Sequence, residues 1–435
     1  MLYDTAFLIF SLFYLPTLIF KGKMHADFGE RFGHYAQDKR KALASLKGAI
    51  WIQAVSVGEV AACRGLVDRL KIVFPDRKVL LSTITKTGND LARKLFGNDA
   101  VIIYFPLDLS WIVKKAVSLV NPSLYIMIET EIWPNMIREV SLRGIPSAIV
   151  NGRISDRSFG KYKLAKPFLS KTMKRIGVFC MQSLQDAERI IGLGAPKERV
   201  RVTGNMKFDA DVSVDIGRSE YIKRSMGMAD SDTLLVAGST HKGEEVIVLQ
   251  VFKKLSAEFP RLKLLIAPRH IERTGEVEEA IKSFGLTSVR FSSICGTQDL
   301  KRAPQIFILD SIGKLRDIYS ISTIVFMGGS LVPHGGQNPI EPAALGKPVI
   351  FGPYMFNFRE ITAAFLDNGA AILVKESEEL FDSIKMLLTA PERLSEMTRC
   401  AGLAITEKRG ATQRNMKELE SLSAERSGAS PKGIT

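Results

Sequence analysis

Several short segments carry residues whose types and spacing suit chemistry. In SVGEVAA (56–62), Glu59 lies where an apolar run gives way to an amphipathic stretch. A glutamate in a helix's first turn sits at the positive end of the dipole, which favours its ionised form. Such a carboxylate at a sheet's carboxyl edge can serve as a general base, or it can simply steady the helix end. Gly58 beside it would allow a tight turn. IETEIWPN (128–135) sets Glu129 and Glu131 two apart after an apolar run, and Trp133-Pro134-Asn135 makes a turn. Paired carboxylates there are costly without matching donors, which marks a site candidate; equally, one can bind backbone while the other faces solvent. NGRISDRS (151–158) brings Arg153 and Arg157 to the same edge, either to pair with those glutamates or to hold phosphate on an acceptor. Lys207 in TGNMKFD (203–209) is either a cleft lysine or a solvated one.

The second half carries an anion-binding vocabulary. GSTHKGEE (238–245) offers backbone and hydroxyl donors at Gly238, Ser239 and Thr240; His241 there is more often a structural hydrogen-bonder than a catalyst. Arg269 in APRH (267–270) ends an apolar run, where its planar fork suits phosphate oxygens or a nearby carboxylate. The segment 327–353 joins Gly328-Gly329-Ser330, Gly335-Gly336 and Asn338-Pro339-Ile340-Glu341. Asn338 suits an N-cap, Pro339 the first helical position and Glu341 the third, so a helix start, hence an anion site, is expected. Glu341 is either the capping partner or an acceptor for a nucleotide ribose. The loop holds neither GK[ST] nor GxGxxG, so it is not a Walker or dinucleotide motif.

The elements that must position these residues form two alternating series. Apolar runs at Ala49–Ala54, Val79–Thr83, Val101–Tyr104, Leu124–Ile128, Ser147–Val150 and Val178–Met181 read as strands. Between them lie helical spacings such as Val60, Cys63, Leu66, Val67, Leu70 and Val73. The pattern restarts at Leu234–Ala237, Leu262–Ala267, Ile306–Leu309, Ile324–Met327, Val349–Phe351 and Ala371–Val374. This is α/β architecture with two doubly wound parallel sheets, each binding ligands beyond its strands' carboxyl ends and facing the other across a cleft. The expected divisions are 1–22 as a membrane anchor or interfacial helix, 23–209 as a first α/β domain, 210–232 as a linker, 233–420 as a second α/β domain and 421–435 as a flexible tail.

With 435 residues, two core-bearing domains are expected, and a net charge of +14 favours an anionic partner. Four distant cysteines and five scattered histidines speak against a zinc site, a disulfide scaffold or a multi-His metal centre. Thr5–Phe20 carries no charge and is followed by Lys21, Lys23 and Arg31. That is borderline against the roughly 20 apolar residues of a full span. It reads as a short anchor or interfacial helix with the following chain in the cytoplasm, or else as a buried first helix.

Taken in order, SVGE, ETEIWPN, NGRIS, GNMKFD, STHKGEE, PRH and GGSLVPHGGQNPIEPA, with ERFG at 30–33, closely resemble the 3-deoxy-D-manno-octulosonic acid (Kdo) transferases of Gram-negative lipopolysaccharide synthesis. The likeness spans about residues 1–420. It implies the GT-B fold, with 23–209 as the acceptor-binding domain and 233–420 as the CMP-sugar-binding, or nucleotide-sugar, domain, a CMP-Kdo donor, and a lipid A precursor (lipid IVA) as acceptor at the cytoplasmic side of the inner membrane. Glu59 would be the general base, and Glu129 and Lys207, with Glu131 as neighbour, would support the transition state. CMP would be held by Pro268 and Arg269, by Ile312, Gly313 and Lys314, and by Asn338, Pro339, Ile340 and Glu341. The family often has an acid where Lys314 stands, so the backbone of Ile312 and Gly313 is the better expectation there. No metal, cofactor or nucleic acid is implied, and direct attack implies inversion. The competing readings are another GT-B nucleotide-sugar enzyme, a UDP-sugar transferase or epimerase, and a non-enzymatic basic protein. The second would need basic clusters interleaved with aromatics, whereas the charges are spread and tryptophans are scarce.

Overall fold

The computed structural model describes residues 3–9, 26–209, 215–294 and 304–427. The chain forms two compact units, Met1–Ala210 with Arg409–Thr435, and Asp211–Lys408. Unit 1 contains β1 (Ile50–Gln53), β2 (Val79–Thr83), β3 (Ala100–Tyr104), β4 (Leu124–Ile128), β5 (Ser147–Gly152), β6 (Val178–Met181) and β7 (Val200–Val202). They pair in parallel in the order β3-β2-β1-β4-β5-β6-β7. Sheets covered on both faces select continuous apolar strands, and β1 and β4 are buried along their whole length. Alternate residues feed opposite layers. Trp51, Tyr125 and Phe179 enter one core, and Ile50, Ile52, Ile126 and Cys180 enter the other.

Unit 2 repeats the plan with β8 (Thr233–Thr240), β9 (Leu262–Pro268), β10 (Ser288–Arg290), β11 (Ile306–Ile308), β12 (Ile324–Met327), β13 (Val349–Phe351) and β14 (Ala371–Leu373). All pairs are parallel, in the order β10-β11-β9-β8-β12-β13-β14. Both sheets switch winding direction at the centre, between β1 and β4 and between β8 and β12, and in the second β11 inserts between β9 and β10. Open α/β sheets bind ligands at that switch point.

Every strand expected from the sequence is present. The unexpected ones, β7 and β10, are three-residue strands at sheet edges whose side chains are half-buried or exposed, so they lack an apolar run. Two expectations about boundaries are corrected. Ile216–Ser225, inside the expected linker, is a helix capped by the Asp215 carboxylate and belongs to unit 2; residues 210–214 lie outside the described residues. Helix Ala411–Ser427 returns to unit 1, so the nucleotide-sugar domain does not run to 420 and the tail is not frayed from 421; 428–435 lie outside the description. Asp209 fixes this return by accepting from Gly410 N at 2.6 Å and from Thr412 N. Arg414 Nε donates to Thr203 O at 2.8 Å.

Residues 3–9 are helical. Asp4 pins them to unit 1, its Oδ1 accepting from Ser110 N at 3.0 Å and from Asn135 Nδ2 at 2.8 Å. Tyr3 stacks on Phe168 at 5.6 Å. Of the expected anchor at 1–22, residues 1–2 and 10–22 lie outside the described residues. Among the described residues no helix is long and apolar enough to cross a membrane.

Candidate active site

In unit 1 the singled-out acids gather at the switch point. Glu59 follows β1, and Glu129 and Glu131 follow the adjacent β4. Ser56 caps helix Val57–Ala62 and its hydroxyl donates to Glu59 Oε1 at 2.8 Å, while Val55 N donates to Oε2 at 2.7 Å. The Glu59 carboxylate is therefore folded back over its own helix start. Gly58 makes no tight turn; it lies inside that helix. The loop is braced from β2: Thr85 caps helix Lys86–Phe96 and its hydroxyl donates to Val55 O at 3.2 Å. A Cβ on Gly88 would stand 3.2 Å from Val55 O, so glycine permits this close approach.

The expected ionisation of Glu59 is corrected. Burial, and next the neighbouring Glu129 charge, push its carboxyl up to about 7, against the opposing hydrogen bonds from Val55 and Ser56. Only 7% of the residue is exposed, so desolvation outweighs the end of a short helix. Burial also raises Glu131, and the Trp133 indole N–H, 2.9 Å from its Oε2, opposes that.

Lys207, rather than Arg153, is the cation set on Glu129, its Nζ 3.3 Å from Oε1. A chain of buried amides places it there. Asn151 Oδ1 accepts from Met206 N at 2.9 Å, Gln182 Nε2 donates to Asn151 O at 2.9 Å, and Asn205 Nδ2 donates to Gln182 Oε1 at 3.0 Å. Asn205 Oδ1 then accepts from Lys207 N at 3.0 Å. Glu129 and Asn151, at φ 58° and 57°, both hold left-handed backbone at adjacent strand ends. That conformation costs a non-glycine residue about 1–2 kcal/mol. Sequence reasoning quoted Asn151 and Asn205 within motifs but missed their positioning role, and missed Gln182 altogether.

In unit 2 the expected nucleotide residues lie at the carboxyl edge. Pro268 ends β9, and the exposed Arg269 follows it with its backbone N donating to Thr240 O at 2.9 Å. Ile312 is 83% exposed, and Gly313 has φ 81° with open space around its absent Cβ. Lys314 caps helix Leu315–Ile321. The helix expected from Asn338 begins one residue later. Pro339 is the cap of Ile340–Ala344, and Asn338 Oδ1 accepts from Ile340 N at 3.2 Å. Asn338 Nδ2 lies 3.4 Å from Glu341 Oε1, and burial raises the Glu341 carboxyl.

Two expectations about phosphate donors are also corrected. The Thr240 hydroxyl is spent on Glu245 Oε1, at 2.9 Å, and Glu245 is clamped by Arg273 at 2.8 Å. Gly238 is pressed against Tyr319. The Gly328-Gly329-Ser330 loop is shaped by an acid that sequence reasoning passed over. Fully buried Glu244 accepts from the backbone N–H groups of His241, Gly329, Ser330 and Leu331 at 2.9, 2.6, 2.9 and 3.0 Å. Nor are the histidines scattered in space, since His241, His270 and His334 meet in this unit. Among the described residues no group of His, Cys, Asp and Glu side chains is arranged to hold a metal ion.

Residues 26–210 match the family model described as 3-Deoxy-D-manno-octulosonic-acid transferase (kdotransferase). A 3-deoxy-D-manno-octulosonic acid transferase of Haemophilus influenzae is 35% identical over 393 residues, 90% of this chain and 90% of that one. The chain belongs to the Kdo transferase family. It is accordingly a glycosyltransferase. The Kdo transferase of Chlamydophila psittaci is 29% identical over 426 residues, 96% of this chain and 95% of its own. The crystal structure of UDP-GlcNAc 2-epimerase from Neisseria meningitidis bound to UDP-GlcNAc aligns with a TM-score of 0.61 at 14% identity. It covers 86% of this chain and 100% of that one, and shows the shared fold: two parallel-sheet α/β domains of the GT-B kind.

Proposed function

We propose that this Kdo transferase family member moves Kdo from CMP-Kdo to a lipid A precursor, lipid IVA, with inversion at the anomeric carbon. The observation that carries the reading is the Glu59 carboxyl: fixed by Val55 N–H and Ser56 Oγ–H, and with a proton affinity near neutrality. A general base works best when its proton affinity lies near the operating pH. Glu59 takes the proton from an acceptor hydroxyl as that oxygen attacks the anomeric carbon. The carbon–oxygen bond to phosphate breaks and its electron pair leaves with CMP. Attack from the face opposite the departing nucleotide inverts the centre.

Lys207, in the short helix Met206–Asp209, pairs with Glu129 at the end of β4, where a cation can offset charge developing on the donor. Glu131 completes the acidic edge. CMP is assigned to unit 2, on Pro268, Arg269, the backbone of Ile312, Gly313 and Lys314, and Asn338, Pro339, Ile340 and Glu341. Arg269 supplies the fork for the phosphate. The +14 charge and the apolar Thr5–Phe20 segment favour an anionic leaflet, with the enzyme anchored by its N-terminus at the cytoplasmic side of the inner membrane.

The test is incubation of membranes containing the protein with lipid A precursor, Kdo, CTP and the coupling enzyme, read by mass spectrometry. The expected result is a lipid heavier by whole Kdo residues. An unchanged lipid, with a UDP-sugar consumed in a parallel arm, would transfer the assignment to another GT-B activity.

A further inference from the structure

Of the chain's five histidines, three are brought together by unit 2 from positions far apart in sequence. His241 follows β8, His270 follows β9 and His334 lies in the loop after β12, so the trio stands over the switch point. The His241 and His334 rings stack at 4.1 Å and 11°. His270 meets His241 edge-on at 6.1 Å. Gln337 Nε2 lies 3.4 Å from His241 Nε2. The stack depends on Gly329. At φ 67°, a Cβ there would fall 3.1 Å from His241 Cδ2 and 3.5 Å from His334 Cβ.

The surroundings are cationic. Arg269 and Arg273 lie close enough, with His334 and His270, to depress the His241 imidazole further after burial has lowered it. The acids on the adjoining helix are both committed. Glu244 is saturated by four backbone N–H groups, one of them that of His241 itself, and Glu245 by Arg273 and Thr240. Stacked and edge-on rings do not converge on one point as metal ligands would. What the arrangement offers is several imidazole N–H donors and an amide in a positive field, which suits a carboxylate or phosphate.

We propose that His241, His270 and His334, with Gln337, form a carboxylate station for the sugar-acid half of the donor, distinct from the nucleotide contacts at Arg269 and Asn338. This rests on the CMP-Kdo reading above. The donor carries two anions around its anomeric carbon, a phosphate and a carboxylate, and each needs its own donor set if the phosphate is to leave while the sugar stays. A station on the carboxylate also selects keto-acid sugars over neutral ones, since a neutral sugar leaves the donors unpaired.

The experiment compares His270→Ala and His334→Ala, both at exposed positions and both without a side-chain donor, with the parent enzyme. It measures KM for CMP-Kdo and the inhibition constant of CMP, with the melting temperature as a check on folding. The expected result is a KM for CMP-Kdo raised about tenfold or more, as for loss of a charge-assisted hydrogen bond, while CMP inhibition stays within about twofold. Equal rises in both constants would assign the trio to phosphate and overturn the carboxylate station. Unchanged KM in both variants, with normal turnover by the parent, would overturn the station alone. A parent enzyme that does not consume CMP-Kdo would overturn the functional reading and this one with it.

Discussion

Replacing Glu59 by glutamine is expected to stabilise unit 1 at neutral and alkaline pH while removing transfer. In the folded chain the carboxyl is raised from 4.5 to about 7 by burial and by Glu129. Between those limits the unfolded chain releases this proton and the folded chain keeps it, so stability falls as pH rises through the window. At roughly 1.4 kcal/mol per pH unit, the ionised Glu59 costs the folded state about 3 kcal/mol above pH 7. Glutamine carries no such cost. Its amide oxygen can still accept from Val55 N–H, and its NH2 still reaches the Ser56 hydroxyl. All three tryptophans, Trp51, Trp111 and Trp133, lie in unit 1, so indole fluorescence reports the unfolding of that unit. At pH 8 the variant should melt roughly 6–12 °C above the parent, at about 2–4 °C per kcal/mol for a unit of this size. At pH 5 the difference should shrink to below about 1 kcal/mol. A variant equal to or less stable than the parent at pH 8 would refute the reasoning, because Glu59 would then be ionised without penalty.

Under the proposed role as base, the same proton affinity sets the pH dependence of the rate. Below pH 7, kcat/KM should fall about tenfold per pH unit as Glu59 is protonated and level off above it; a flat profile from pH 5 to 8 would speak against Glu59 as base. Lys207→Met leaves Glu129 without its partner at 3.3 Å and should lower the transfer rate about 100-fold or more, with CMP inhibition unchanged. Equal loss of CMP affinity would instead indicate a damaged fold. Glu244→Gln turns an NH2 group toward two of the four backbone donors that Glu244 now satisfies. At about 1–3 kcal/mol per unsatisfied buried group, hydrogen exchange at Gly329, Ser330 and Leu331 should accelerate by a factor of about 30 or more, and unaltered protection would contradict the bracing role.

Much of this molecule is legible in its sequence because parallel strands covered on both faces must be apolar throughout. LYIMI at β4 is such a run, and LKLLIAP at β9 departs from it only at Lys263. VRV at β7 and SVR at β10 pair on one side only and keep solvated side chains, so no pattern marks them. Helix Ala411–Ser427 escaped for another reason. Its allegiance to unit 1 is decided by Asp209, some two hundred residues earlier, and by the Arg414 bond to Thr203 O.

The motifs at Glu59, Glu129 and Arg269 are visible as residues at strand ends, because turns after β-strands carry recognisable Gly, Pro and Asn signals, and Lys207 is visible only as a residue just ahead of a linker. Their electrostatics are not. Glu59 looked like an ionised helix-end acid until burial and Glu129 were known to surround it. The histidine trio likewise depends on which strand ends are neighbours in the sheet, which no local spacing encodes.

The central claim is tested most directly by the transfer reaction with Glu59 removed. Parent enzyme and Glu59→Ala are each given CMP-Kdo and lipid IVA, initial rates of Kdo addition are read by mass spectrometry, and CMP binding is measured in parallel. The account predicts rapid addition by the parent and none by the variant, with CMP bound equally well by both. Near-normal addition by the variant would contradict it.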